Sequence, residues 1–508
     1  MKRAVNFRSF VYSAAILMLT ILLCLLALNL AWLGFSLLLI AIFAPVILAI
    51  IFKKKLLLYK FVTIIMTACL CFVAVVMFFI TVYSWTPSEV GNRVYWVSGT
   101  VDDNFVVDGE RKVILKNLQL DNMDVPGRMQ ITVSDEEKFF ELIPVGDRLE
   151  FAAYVFVRDL VSGYSINASY LRSNIRYVAT VTAGNVKISE GKTTLLDDIN
   201  SFVKNTLIEC MGNRYGVIAY GILTGDKNEI SSDVRDSFSA AGIAHILAVS
   251  GLHIGFLMAI MTFLLRKFKV KRLPTFITNA VILLLYTIFA GFSPSVVRAS
   301  IMFLVLSGAT LLGEQNDSFN SLGLASTVIL TVSPVMLFEG GFVMSIGAVF
   351  GLINFTPLLV RLLTKIKMNE KIANAIAVPV AAQLGVLPVS VNFFGSLQLY
   401  SIIINIVLMP FMSLVFMAVF VSVLLSIIPP LKILVTLSGF LIKGLTIAAD
   451  FCSALPLAQL TVSSTLISFL LFPLYFVVGE FFNCKHKKIV MASCGCVAIL
   501  LIIILAIL

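Results

Sequence analysis

The chain has 508 residues, of which 59% are hydrophobic, and its mean hydropathy is +1.00. Soluble globular proteins are about 45–50% apolar, so this composition excludes an ordinary soluble protein and predicts a polytopic α-helical membrane protein. The formal charge of +10 does not by itself indicate a nucleic-acid partner, because Lys and Arg accumulate in the cytoplasmic loops of membrane proteins whatever their function.

Residues 1–83 predict three transmembrane helices. The apolar run at 11–52 is too long for one span and suits two, and a third run covers 61–83. Basic residues precede the first run, and Lys53–Lys55 separate the second from the third. The positive-inside rule places both basic segments in the cytoplasm, so the chain is predicted to emerge outside the cytoplasmic membrane after Tyr83.

Residues 84–198 predict an extracytoplasmic OB-like β-barrel. Alternating, β-branched runs such as RVYWVSGTV and DRLEFAAYVFV are separated by turn sequences, which indicates about five strands. The segment has twelve Lys and Arg against seventeen Asp and Glu, a net charge of −5. Contact with nucleic acid and a role in bracing the membrane part or docking a partner both stay open.

Residues 199–245 predict amphipathic helices at the outer interface, interrupted by GILTGDKNEISSD. Residues 246–508 predict a bundle in which Pro410 breaks one long apolar run. The basic loops RKFKVKR, RLLTKIK and KHKK all fall on the cytoplasmic side of this bundle. Its ten expected spans are 246–265, 276–292, 297–312, 322–337, 342–362, 376–391, 399–428, 433–449, 466–482 and 489–508.

The stretch AHILAVSGLHIGF holds two of the three histidines, His245 and His253, with Ser250 and Gly251 between them. In a continuous helix Ser250 and His253 are three residues apart and share a face, while Gly251 permits a close backbone approach or a break. One interpretation is a nucleophilic serine with a histidine base. The other is a polar lining or gate, in which Asp226 sets the protonation of the histidines.

Arg298, Gln383, Asn405 and Asp450 are the polar candidates in or at the end of expected spans, where polar groups are costly and usually face a polar path. Asp450 could also be interfacial. Arg298 has the guanidinium fork that suits a phosphate, or it reaches the interface from near a helix end. Gln383 and Asn405 either line a path or hydrogen-bond neighbouring helices.

Four stretches together resemble the ComEC family of competence proteins, which are inner-membrane channels for DNA uptake. They are GD at 225–226, HILAVSGLH at 245–253, SPSVVRA at 293–299 and AAQLGVLP at 381–388. The resemblance implies a multi-pass channel for single-stranded DNA in the bacterial cytoplasmic membrane. The residues that it would assign to the DNA path are Asp226, His245, Ser250, Gly251, His253, Arg298, Gln383 and Asn405.

The resemblance also implies partners: single-stranded DNA, membrane lipid and other competence proteins, namely a DNA receptor, a cytoplasmic helicase or ATPase and a separate nuclease. Many relatives end in a metallo-β-lactamase-like domain, whereas this sequence has no H-x-H-x-D-H and ends in apolar residues. We therefore expect no catalytic residue, no metal site and no cofactor. Two alternatives stay open: an intramembrane hydrolase using Ser250 with His245 or His253, and a transporter of another polymer or lipid.

Overall fold

The computed structural model describes residues 9–30, 58–85, 90–107, 110–133, 145–162, 165–167, 170, 174–181, 186–191, 194–247, 249–313, 317–394, 396–398, 400–455 and 459–461. Within these residues a small β-barrel interrupts a set of apolar helices. The second predicted span, in the latter part of 11–52, and the spans predicted at 466–482 and 489–508 lie outside the described residues.

Two helices precede the barrel, α1 (Ser9–Leu30) and α2 (Leu58–Tyr83), and they pack against each other. Between them, the hydroxyl oxygens of Ser13 and Thr67 are 2.6 Å apart in a buried hydrogen bond. Such a bond joins two apolar helices without leaving either hydroxyl unpaired.

The barrel is a closed, OB-like antiparallel and parallel sheet, as the alternation of the sequence predicted. Five strands close it in the order β1-β2-β4-β8-β5, with β5 pairing back to β1 and β4 running parallel to β8. Every second residue of β5 and β8 points inward, so that Phe151, Val155 and Tyr177 are buried. The strands are β1 (Arg93–Val107), β2 (Glu110–Leu120), β3 (Met123–Val125), β4 (Arg128–Val133), β5 (Arg148–Val157), β6 (Val161–Ser162), β7 (Ser165–Ile166), β8 (Ile175–Val181) and β9 (Lys187–Ser189).

Arg176 fixes the barrel to the end of α2. Its guanidinium donates hydrogen bonds to the carbonyls of Ser84 and Trp85, and it lies over the indole ring of Trp85 at 4.7 Å. The indole N–H of Trp85 in turn donates to the carbonyl of Arg158. The junction between helix and barrel is therefore joined by three hydrogen bonds and one cation–π contact.

Three short helices follow the barrel: α3 (Leu195–Met211), α4 (Asn213–Thr224) and α5 (Ser232–Ala240). A capping box starts α3, because Thr194 and Asp197 satisfy each other's backbone N–H. Ile199 and Phe202 leave an apolar face of α3 exposed, as expected for an interfacial helix. The predicted interruption begins too early, because GILT still belongs to α4, which ends at Gly225 in the left-handed conformation.

The remaining helices form a bundle, and the chain is a multi-pass membrane protein. Six helices of the described residues are long and apolar enough to span a membrane, or seven if one bent pair counts as a span. That pair meets at Pro410 with a bend of 48°, at the predicted break. The helices are α6 (Gly251–Lys267), α7 (Arg272–Phe289), α8 (Pro294–Leu312), α9 (Ser318–Val332), α10 (Gly340–Lys365), α11 (Glu370–Phe394), α12 (Ser401–Leu425) and α13 (Ile433–Ser453).

Several predicted spans have wrong boundaries, and three of them show the physical reason. The span predicted at 246–265 starts late, since Ala244–Leu247 form a 3-10 turn and α6 begins only at Gly251. The span predicted at 276–292 ends at Phe289, because Gly291 and Phe292 have positive φ. The span predicted at 322–337 ends at Val332, where a proline turn follows.

Helices α10 and α11 make the closest helix contact of the bundle. Gly347 and Gly351 face Gly385, and backbone touches backbone across the interface. A β-carbon at Gly351 would overlap the carbonyl oxygen of Ala381, and one at Gly385 would overlap that of Gly347. This is the small-residue packing that brings membrane helices together without large side chains.

Gly385→Ala should therefore destabilise the protein strongly. Its methyl group would lie 2.8 Å from the Cα of Gly351, and overpacking of this kind costs about 1–3 kcal/mol, with the upper end expected against backbone that cannot rotate away. Gly444→Ala is the control, because no described atom lies within 4 Å of that position. Thermal unfolding in detergent should show a large loss for Gly385→Ala only; equal stability of the two variants would contradict the packing.

Candidate functional site

The histidine stretch forms the start of α6 rather than a continuous helix. After the 3-10 turn at Ala244–Leu247, Ser250 adopts an extended conformation and caps the helix. The backbone N–H of Ser250 donates a hydrogen bond of 3.3 Å to Nδ1 of His253. The three-residue spacing does bring Ser250 and His253 together, but at the cap of α6 and not inside a continuous helix, because a polar group there satisfies the open helix end.

His253 is held in place from two sides. Its side chain is only 2% exposed, and its ring stacks on Phe416 of α12 at 4.6 Å between centroids and an angle of 8°. Because Nδ1 accepts from the backbone, the proton of the neutral imidazole is on Nε2. Nδ1 of His253 is therefore occupied and not available as a base toward the hydroxyl of Ser250.

An aromatic cluster joins His253 to the end of α4. Tyr286 of α7 contacts Phe416 and Phe420 edge-on, and its hydroxyl donates a hydrogen bond of 2.7 Å to the carbonyl of Leu223. Leu223 lies just before the Gly-Asp pair at 225–226. The fold thus brings two segments, the end of α4 and the start of α6, to one end of the bundle.

The Gly-Asp loop lies beside the first histidine. Asp226 accepts a hydrogen bond of 3.0 Å from the N–H of Asn228, so it shapes the loop. His245 is exposed, and the charged side chain of Lys227 is close to it. That Asp226 sets the protonation of the histidines stays a prediction.

Two further motifs pack around the start of α6. Gly251 faces Ala299 of α8, but a β-carbon there would be 3.7 Å away, which is ordinary contact. Gly251 is exposed. It therefore marks the break before α6 and is not a point where two backbones approach closely. Gly242, in contrast, lies directly against Ser401 at the start of α12, where a β-carbon would overlap that side chain.

The three polar residues predicted inside spans have different surroundings. Arg298 is buried, and its Nη2 donates to the hydroxyl of Ser345 on α10, with Glu339 close by. It neither reaches the interface nor faces an open path in this conformation. Asn405 on α12 is buried, with no hydrogen-bond partner for its Oδ1 among the described residues, and Gln383 on α11 is half-buried.

Partly buried ion pairs join the barrel to the helices next to it. Lys204 of α3 lies between Asp103 of β1, at 3.2 Å, and Glu229, which follows the Gly-Asp pair. All three side chains are no more than 21% exposed. Sequence reasoning missed this cluster, since its members lie in three segments that are far apart in the chain.

A second set of ion pairs involves strand β2. Lys116 contacts Asp102 and Asp197 at 3.0 Å each, and Arg128 contacts Asp102 at 3.0 Å. Asp197 belongs to the capping box of α3. The face of β2 that carries Lys116 is thus occupied by the protein's own α3, which supports the bracing role that the sequence left open.

Glu229 is the titratable member of the Lys204 cluster. Burial raises the pKa of Glu229 to about 7, Lys204 opposes this shift, and Asp103 and Asp226 add to it. The unfolded group has a pKa of 4.5, so the folded protein holds a proton that the unfolded chain releases between about pH 4.5 and 7. Stability must fall as the pH rises through this window.

Glu229→Gln should flatten this pH dependence. We expect the loss of unfolding free energy between about pH 5 and pH 8 to shrink by about 1–3 kcal/mol, since the amide cannot titrate. Glu209→Gln, in an exposed pair with Lys432, is the control. Denaturation of the purified protein at both pH values measures the effect, and an unchanged slope in Glu229→Gln would contradict the assignment.

Comparisons with known proteins agree on one family. The family model described as "Competence protein" matches residues 222–488. The chain is 29% identical over 194 residues to ComE operon protein 3 of Bacillus subtilis (strain 168), an alignment that covers 38% of this chain and 24% of that protein. No solved structure matches the chain.

Proposed function

Because the chain belongs to the competence protein family, we propose that it is a channel of the cytoplasmic membrane through which single-stranded DNA enters during natural transformation. One observation carries the proposal: the start of α6, the end of α4, the start of α8 and Phe416 of α12 lie together inside a membrane-spanning bundle. These segments hold the histidines, the Gly-Asp pair and the residues around Ala299.

The residues proposed for the DNA path fall into two groups. Asp226, His245, Ser250, Gly251 and Gln383 are exposed or half-buried and would contact the strand. His253, Arg298 and Asn405 are buried and would hold the surrounding helices in position. Phosphates need polar surroundings at membrane depth, and the first group would supply them without a fixed positive charge that retains the strand.

The barrel would stand outside the membrane, over this end of the bundle. Its ion pairs to α3 and to Glu229 would keep it next to the Gly-Asp loop. The partners that we propose are the incoming strand, membrane lipid around the bundle, a DNA receptor, a cytoplasmic helicase or ATPase and a separate nuclease.

Transformation frequency tests the function. A strain of the source bacterium without this gene should give no natural transformants, and a plasmid copy should restore them. Electroporation with the same DNA is the control, because it bypasses the membrane step and should be unaffected by the deletion. Normal natural transformation in the deletion strain would exclude a DNA-uptake channel. A transporter of another polymer or lipid, or an intramembrane hydrolase, would then be favoured.

A further inference from the structure

The contact between α10 and α11, which we call the glycine seam (Gly347, Gly351 and Gly385 with Ala381), contains a polar residue. Asn354 is three residues beyond Gly351, so it lies on the same face of α10. It is 1% exposed and lies near the midpoint of this 26-residue helix. The opposite face of α10 is fixed to α8, because Ser345 accepts from Arg298.

The amide of Asn354 is unsatisfied in the seam. Neither its Oδ1 nor its Nδ2 has a hydrogen-bond partner among the described residues. A buried amide without partners is unfavourable, and more so at membrane depth, where water does not compete for it. The closed seam therefore contains a group that would be better satisfied if the two helices separated.

The rest of the seam is suited to separation. Glycine and alanine meet there backbone to backbone, so the helices can part without withdrawing large interlocked side chains. Separation would expose the carbonyl oxygens of Gly347 and Ala381 together with the Asn354 amide. A newly opened cleft would thus be lined by donors and acceptors along the middle of the bundle.

We propose that the glycine seam opens during transport and that Asn354 lines the opened path, where its amide binds the hydrated phosphate backbone of the strand. This inference rests on the proposed function. It assigns the moving element to α10 and α11, while α8 stays joined to α10 through Arg298.

Asn354→Leu tests the seam directly. Leucine has as many side-chain heavy atoms as asparagine but no polar group, so it should favour the closed seam. We expect a higher unfolding temperature and DNA import reduced at least about tenfold, a shift of about 1.4 kcal/mol in the opening equilibrium. Asn354→Ser keeps a polar group and should import nearly as well as the wild type.

Asn374→Leu is the matched control. Asn374 is exposed at the other end of α11, where its amide donates to the carbonyl of Glu370, and its replacement should leave import unchanged. If the Asn354→Leu protein were stable and imported DNA normally, the proposal that the glycine seam opens would be contradicted. It would also be contradicted if the protein were destabilised and import fell only in proportion to its amount in the membrane. If the gene deletion itself leaves import normal, the proposed function fails first, so the two failures are distinguishable.

Discussion

Lys204→Met is expected to release the barrel from the helices. The substitution leaves Asp103 and Glu229 partly buried and close together without the cation between them. Breaking a fully buried ion pair costs about 3–5 kcal/mol, and we expect a smaller loss here because the side chains are partly exposed and Glu229 can take up a proton. The barrel itself keeps its core of Phe151, Val155 and Tyr177, so it should stay folded.

Lys432→Met is the matched control, since Lys432 forms an ion pair with Glu209 in which both side chains are exposed. We expect limited proteolysis of the purified Lys204→Met protein to cut between the barrel and α3, whereas Lys432→Met should resist like the wild type. Transformation should fall in the first variant only. If Lys204→Met kept full protease resistance and activity, the ion pairs would not hold the barrel.

His253→Ala and Ser250→Ala are expected to differ sharply. His253→Ala removes the ring that stacks on Phe416 and the acceptor for the N–H of Ser250. The cavity and the unpaired N–H should together cost roughly 2–4 kcal/mol, and DNA import should be lost. Ser250→Ala keeps the backbone N–H that His253 binds, so stability and import should stay close to those of the wild type.

The same pair of variants separates a channel from a hydrolase. A nucleophilic serine requires that Ser250→Ala abolish activity while the fold survives. If Ser250→Ala lost all activity at wild-type stability, and His253→Ala did the same, the catalytic interpretation would replace ours. Transformation frequency and thermal unfolding of both purified proteins give the answer.

Periodicity predicted the barrel and the membrane bundle, because both depend on regular patterns. The alternating β-branched segments of 84–198 form the five strands of the barrel, and the long apolar runs form helices. Pro410 predicted the bend of α12, because a proline inside a helix removes a backbone hydrogen bond. The limits of domains at 198 and 245 stay predictions.

The candidate site was less predictable, because it depends on contacts between distant segments. Ser250 and Gly251 permit a cap and a break, but the apolar run at 246–265 fits a continuous helix as well, and only the structure distinguishes the two. Nothing in the sequence around Lys204 distinguishes it from a surface lysine, since its partners Asp103 and Glu229 come from distant segments. The seam had a visible signal, since Gly347 and Gly351 have the spacing of close membrane-helix contacts, but Gly385 could be paired with them only in three dimensions.

The central claim is that the chain carries DNA across the cytoplasmic membrane, and the fate of labelled DNA tests it most directly. DNA would be followed separately to the cell surface and to the cytoplasm in the wild type and in the gene deletion. We predict normal surface binding and no cytoplasmic arrival in the deletion, with arrival restored by the plasmid copy. Cytoplasmic arrival at the wild-type level in the deletion would contradict the account.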